Sequence, residues 1–399
     1  MSEYKWSYLK GDLVSAITIA GIYLPMALSL ADNLAHVPPI NGLYAFVFNP
    51  LIYALLGSCP QMIVGPEAAG SLLVGTVVRG SVDSGKGGED DDELHAKICG
   101  VVAGMAGATV LAAGLARLGF LDSVLSRPFL RGFISAIGVV IFVDQLVPEL
   151  GLGRLALETP AGHGSTVDKL TFMFNNLHNV HKLTFIIAAT SFTLIMVFRY
   201  VDSLSTCSRL TCLTCLRELK KRLQLRYPNV AYLPDRLVIV ALSAWMAWKF
   251  DWASQGVEIL GTVKSVSGGA FTFRWPFRIS NVAHIKEAMG TSFLIALLGF
   301  FESSVAAKSL GGQETFPSVQ LSPNRELVAL GVANFVGGCF MSLPAFGGYG
   351  RSKVNKSTGG KSPLSSIFLS IITLMCILFF LPYFYYLPVS LMFRILDTG

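Results

Sequence analysis

Residues 13–31 (LVSAITIAGIYLPMALSLA) run for 19 residues without a charged side chain, and residues 33–66 contain no Asp, Glu, Lys or Arg at all. An α-helix of about 20 such residues spans the hydrocarbon core of a bilayer. A helix on a soluble surface would instead carry a polar stripe. Across the whole chain, 14% of the 399 residues are charged and 52% are hydrophobic, whereas about a quarter of an average soluble domain is charged. So apolar a chain is not disordered, because disorder needs low hydrophobicity and high charge. Its 39 glycines follow no triplet period, and seven cysteines in this length are too sparse for a disulfide scaffold. The chain reads as an integral, multi-pass, all-α membrane protein. The net charge of +6 does not point to nucleic acid, because the basic residues lie in short runs between apolar stretches, as cytoplasmic loops do.

Pro38-Pro39 and Ser58-Cys59-Pro60 divide the second run, which predicts spans near 40–57 and 62–78. Further spans are expected at 98–116, 129–147, 183–198, 235–249, 288–309, 325–342, 347–357 and 363–382, with a weak segment opening at Pro388. With residues 1–10 as a cytoplasmic N-terminus, the acidic run Glu89-Asp90-Asp91-Asp92-Glu93 falls outside. The loop with Arg117 and Arg127 falls inside, as does 199–226, which has seven Lys/Arg against Asp202 and Glu218. That alternation obeys the positive-inside rule, and Trp245, Trp248 and Trp252 suit an interfacial belt. Asp32 and Asp144 sit at span ends and read as interfacial. Residues 1–6 lack the apolar core of a signal peptide. Cys59, Cys99, Cys339 and Cys376 lie in or beside spans and read as packing residues. Cys207, Cys212 and Cys215 lack a fourth zinc ligand nearby, which leaves juxtamembrane acylation or unmodified thiols. No catalytic triad, metal set or phosphate-binding loop stands out, so no enzyme, cofactor or metal is expected.

Two apolar runs are interrupted where a helix should continue. In Val64-Gly65-Pro66-Glu67 the Gly-Pro pair breaks the ladder, and Pro suits the first turn of a new helix. A half-helix is therefore expected to begin near Pro66. In Pro344-Ala345-Phe346-Gly347-Gly348-Tyr349-Gly350-Arg351-Ser352 a Gly-rich stretch leads into a short helix. Corresponding interruptions in two halves point to inverted repeats with a site between the broken helices. Paired half-helix N-termini favour an anion. Glu302 follows 14 uncharged residues and Arg351 follows 24. A carboxylate at such a place is a proton carrier, a partner for a cation, or half of a structural ion pair.

With these residues in view, the chain resembles the SulP family of sulfate permeases and anion transporters, and a fungal branch of it. The resemblance rests on Lys10-Gly11-Asp12-Leu13-Val14, Pro38-Pro39-Ile40-Asn41-Gly42-Leu43-Tyr44, Leu55-Leu56-Gly57-Ser58, Val64-Gly65-Pro66 and Arg131-Gly132-Phe133. It continues through Phe301-Glu302-Ser303, Ala307-Lys308, Asn324-Arg325-Glu326-Leu327, Gly331-Val332-Ala333-Asn334 and Arg351-Ser352-Lys353-Val354-Asn355. It implies a UraA-like seven-plus-seven inverted repeat with core and gate domains. The division would be 11–250 for the first repeat, 251–287 for an extracytoplasmic loop and 288–399 for a partial second repeat. On that pattern the chain stops as the twelfth helix begins, before the last helices and a cytoplasmic STAS domain. The resemblance implies substrate contacts at Tyr23, Pro25, Met26, Gly65, Pro66, Glu67, Gly350, Arg351 and Ser352, with Glu302 and Glu67 as proton-coupling groups.

The implied activity is secondary transport of sulfate or a related oxyanion with protons, by a homodimer in the plasma membrane or an internal membrane such as endoplasmic reticulum or vacuole. A bicarbonate or other anion carrier in the same fold, or a non-transporting fragment or pseudo-transporter, are the alternatives. Three positions depart from the family pattern: Met26 replaces a frequent Gln, Glu67 stands where a small or apolar residue is usual, and Gly350 replaces a frequent Ser. Glu67 is expected either to pair with Arg351 or to act as a second coupling group.

Overall fold

In the computed structural model of the chain the charge-free run 13–31 is helical, while 33–66 holds one full helix followed by an irregular stretch and a short strand. It describes residues 5–83, 91–120, 166–203, 235–252, 254–257, 271–278, 282–310 and 321–381, together with 132, 135–136, 139–140, 142–143, 146–147, 149–157 and 159. Helix α1 (Leu9–Ser29) continues through a π turn at Leu30–Leu34 into α2 (Ile40–Leu56). A three-residue strand, β1 (Val64–Pro66), precedes α3 (Ala68–Asp83), and α4 (Asp92–Leu115) follows. Next come α5 (Gly153–Leu157), α6 (Thr166–Asn175), α7 (Lys182–Ser203) and α8 (Asp235–Phe250). The remainder is α9 (Val282–Leu310), α10 (Pro323–Cys339), strand β2 (Ala345–Gly347), α11 (Tyr349–Ser357) and α12 (Leu364–Met375). Most of the expected span 129–147, the loop with Cys207, Cys212 and Cys215, Asp144, Glu89, Asp90, Arg127 and the segment after Pro388 lie outside the described residues.

Among the described residues three helices are long and apolar enough to cross a membrane: Trp6–Leu34, Asp92–Leu115 and Ile285–Leu310. Helix α4 begins six residues before the expected start because Asp91 caps it, its carboxylate accepting from the Leu94 amide at 3.0 Å. Asp92 and Glu93 in the first turn suit the positive end of the helix dipole. Helix α10 starts with Pro323 in its first turn, where a missing N–H costs nothing. The half-helix expected near Pro66 starts at Ala68, since Pro66 itself belongs to β1.

The chain divides into two compact units that interleave in sequence, one of 1–137 with 262–383 and one of 138–261 with 384–399. In the first, α4 and α10 approach backbone to backbone. A methyl carbon built on Gly107 would lie 2.3 Å from the Phe335 nitrogen, and one on Gly338 2.5 Å from the Gly104 nitrogen. Small residues are the means by which membrane helices pack closely when the surrounding lipid is as apolar as the core. Two buried carboxylates fasten chain crossings. Asp12 accepts from the amides of Lys361 (2.7 Å) and Ser362 (3.1 Å) and from the Ser362 hydroxyl. Glu326 accepts from Tyr53 Oη at 2.7 Å and from the amide and hydroxyl of Ser58.

The second unit has its own small cores. One gathers Val147, Leu152 and Phe172, and another Ile187, Ala247, Trp252 and Val257. Trp252, expected in an interfacial belt, is instead buried there, while Trp245 and Trp248 are exposed.

Candidate functional site where two broken helices meet

Strands β1 and β2 pair antiparallel, Val64 with Gly347, Gly65 with Phe346 and Pro66 with Ala345. All six residues are buried. Each strand is followed two residues later by a helix: Pro66 by Ala68, Gly347 by Tyr349. The sequence interruptions thus become two broken helices crossing at their breaks. Irregular backbone survives at membrane depth only where its amides are satisfied within the protein or line a cavity, and side chains satisfy these. Asn334 on α10 treats Ala345 as a neighbouring strand would, accepting from its N–H and donating to its C=O, both at 2.7 Å. Ser303 on α9 accepts from the Gly347 amide at 2.8 Å and donates to Gly299 O at 2.7 Å. Phe346 lies so close over α9 that a methyl carbon on Gly299 would be 2.2 Å from its ring.

On the other side, α11 holds the approach to β1. Ser352 Oγ accepts from the Ile63 amide at 3.1 Å and donates to Gly348 O at 2.7 Å. Asn355 donates to Gln61 O at 2.8 Å. Arg351 donates from Nε to Ile63 O (3.4 Å), from Nη1 to Pro66 O (2.7 Å), and from Nη2 to Gly65 O (3.0 Å) and Phe346 O (2.9 Å). Its Nη2 also lies 2.7 Å from Glu67 Oε1. Tyr23 of α1 and Phe46 of α2 place their rings 6.0 and 5.9 Å from the guanidinium carbon, within cation–π range.

The structure therefore brings together Tyr23, Gly65, Pro66, Glu67, Arg351 and Ser352, and of the two roles expected for Glu67 it shows the pairing with Arg351. The Arg351 guanidinium ties four carbonyls and a carboxylate across the crossing, and Ser352 serves the backbone. Pro25 and Met26 are buried within α1. Pro25 lacks the N–H that would otherwise bond Gly21 O. Gly350 lies in the first turn of α11. Glu302, half-buried on α9, lies within electrostatic range of both Glu67 and Arg351. Side-chain exposure is 3% for Arg351 and 23% for Glu67. The accessible face of the crossing is thus acidic rather than basic.

Helix N-termini supply the remaining donors. The first intrahelical bonds run from Ser71 N to Glu67 O and from Ser352 N to Gly348 O. The amides of Ala68, Ala69 and Gly70, and of Tyr349, Gly350 and Arg351, consequently have no carbonyl partner within their own helices. Asn334, Ser303 and Asn355 were not among the expected site residues. For Asn334 the signal was a polar side chain inside an otherwise apolar run; Asn355, in the polar helix α11, carried no such signal.

A pair of crossed, broken helices in an apolar helical assembly defines a multi-pass membrane protein of the UraA-like inverted-repeat type. The sulfate permease family profile matches residues 9–396, and the chain belongs to that family. A Saccharomyces cerevisiae protein named "Putative sulfate transporter" is 35% identical over 97% of the chain, and Arabidopsis thaliana sulfate transporter 4.1, chloroplastic, is 30% identical over 96%. The chain spans about half the length of these curated relatives, 48% and 50% respectively. Its fold is shared with the murine solute carrier 26 member A9 anion transporter in the inward-facing state (TM-score 0.81, 22% identity, 100% of this chain and 61% of that one). It is also shared with the transmembrane domain of the cyanobacterial bicarbonate transporter BicA (TM-score 0.73, 19% identity, 98% and 88%).

Proposed function

We propose that the chain is the membrane part of a proton-coupled secondary transporter for sulfate or a closely related oxyanion. The observation that carries this reading is the meeting of the α3 and α11 N-termini at the Glu67–Arg351 pair, 2.7 Å apart. Six backbone amides with no carbonyl partner within their own helices, at the positive ends of those helices, favour an anion. Relatives named as sulfate transporters support sulfate as the substrate. Arg351 contributes charge from behind, through the crossing it ties, while the amides make the direct contacts.

The charge balance gives the coupling. With Glu67 and Glu302 ionised and Arg351 cationic, the crossing carries a net −1, and a dianion is repelled. Two unit charges 6 Å apart at an effective dielectric of 20 interact by about 3 kcal/mol, so each proton taken up by a carboxylate removes a penalty of that order. Sulfate binding should accordingly bring protons with it, and uptake should rise as pH falls.

Proteoliposomes carrying the chain test this. Labelled sulfate should accumulate when the uptake side is made acidic and should equilibrate without accumulation when the gradient is collapsed. Uptake indistinguishable from empty liposomes in both conditions would leave a non-transporting membrane protein as the better reading.

A further inference from the structure

Residues 271–278 (FTFRWPFR) form a strap without regular secondary structure in the first unit, turning at Pro276-Phe277, with an alternating pattern. Phe271 meets Tyr44 and Phe48, Phe273 meets Phe340, and Trp275 and Phe277 both meet Phe335. The Arg274 amide donates to Cys339 O at 2.8 Å, which ties the strap to the turn after α10. That turn includes Met341 at φ +58°, a left-handed conformation that a methionine rarely adopts. The intervening residues Arg274, Pro276 and Arg278 line a cleft of about 300 Å³ against the first turns of α4.

Among the described residues, the charged side chains lining this cleft are Lys97, Arg274 and Arg278, and none is acidic. Glu93 Oε1 serves two of the three cations, at 2.9 Å from Lys97 Nζ and 2.8 Å from Arg274 Nη1. Arg278 is exposed and makes no ion pair among the described residues. Trp275 and Phe273 beside it are 43% and 61% exposed. The Glu93 carboxylate offsets one of the three positive charges, so the cleft keeps an excess of positive charge, with Arg278 left to meet an anion. A fork of guanidinium donors matches the oxygens of sulfate or phosphate. The cleft is roomy enough to admit a hydrated tetrahedral oxyanion or a headgroup phosphate.

We infer that this cleft is a second anion site, separate from the helix crossing, that takes one tetrahedral oxyanion of the sulfate or phosphate class. The group arrives either as a free ion or as the phosphate of an anionic lipid headgroup. Aromatic rings at the rim place the cleft at an interfacial level, where both sources are at hand. The inference stands whether or not the crossing transports sulfate.

The test uses the whole chain in phosphatidylcholine nanodiscs, with labelled inorganic sulfate as one probe and added phosphatidylglycerol, counted by native mass spectrometry, as the other. In K97Q/R278Q, one of the two probes should bind the cleft about tenfold or more weakly, the loss expected when charged hydrogen bonds are removed. K97R/R278K, which keeps the charge, should retain clearly more of that binding than K97Q/R278Q does. Loss of the sulfate arm identifies a free ion, and loss of a retained phosphatidylglycerol identifies a headgroup. In the unmutated chain, saturation with the effective probe should also slow acylation of Lys97 by an amine-reactive ester, read by peptide mass. The inference is overturned if both probes bind K97Q/R278Q as they bind the parent, or if neither protects Lys97.

Discussion

Arg351 decides how the crossing is read. An arginine inside an apolar run invites the role of anion ligand, yet this one is buried and donates to Ile63, Gly65, Pro66 and Phe346 carbonyls and to Glu67. Removing one partner of a buried charged network costs about 3–5 kcal/mol, since the acceptors left behind are unsatisfied. Arg351→Ala should therefore lower the unfolding temperature of the detergent-solubilised protein even with no sulfate present. Arg351→Lys should restore little of it, because an ammonium cannot replace a planar fork that reaches five acceptors. A ligand without a structural role would leave the sulfate-free unfolding temperature unchanged in both variants. Glu67 is the exposed half of the pair, and Glu67→Gln keeps an oxygen for the 2.7 Å contact with Arg351 while removing the negative charge. Sulfate uptake by that variant should depend less steeply on pH and be larger near neutrality. An unaltered pH profile would take Glu67 out of the coupling.

Among the elements, the helix pair α4 and α10 is held by what is absent. Gly107 leaves room for the Phe335 backbone, which a methyl group would meet at 2.3 Å. Gly107→Ala must push two backbones apart, and overpacking of this kind costs about 1–3 kcal/mol. Gly290 on α9 has nothing within 4 Å of the same added carbon, so Gly290→Ala should be neutral or stabilise by up to about 1 kcal/mol through helix propensity. Thermal unfolding of the two variants side by side checks the contrast.

The same scale shows what the residues alone convey. Helix positions were legible because charge-free runs of about 20 residues have one physical meaning in lipid. The breaks were legible because Gly65-Pro66 cannot continue a helix. The partners of Arg351 and Ser352 were not, since bonds to Ile63 and Pro66 join residues 285–289 positions apart, and no local pattern encodes that pairing. Asn334 was hidden similarly: it lies close to Ala345 in sequence, but its use as a substitute strand depends on where β2 turns.

At the level of the whole molecule, the unit that holds the crossing is assembled from two distant stretches, 1–137 and 262–383. The crossing itself takes β1 and α3 from the first stretch and β2, α9 and α11 from the second. Glu302 on α9 therefore senses a charge pair to which both stretches contribute, Glu67 from one and Arg351 from the other. On the proposed coupling, a proton on Glu302 makes the crossing neutral while Glu67 stays paired, and an anion is accepted with the clamp intact. Glu302→Gln fixes this neutral state permanently. The variant should still exchange internal for external labelled sulfate, because binding no longer waits for a proton. It should accumulate less sulfate than the parent when a pH gradient is imposed, because the proton that Glu302 carries no longer moves with each turnover. One coupled proton supports about tenfold accumulation per pH unit, since 1.36 kcal/mol corresponds to one unit. Parent and variant should then differ by that factor at a gradient of one unit, measured in the same proteoliposomes with the membrane potential clamped at zero. A Glu302→Gln protein that accumulates sulfate as steeply as the parent would move the proton to another carrier, with Glu67 the next to examine.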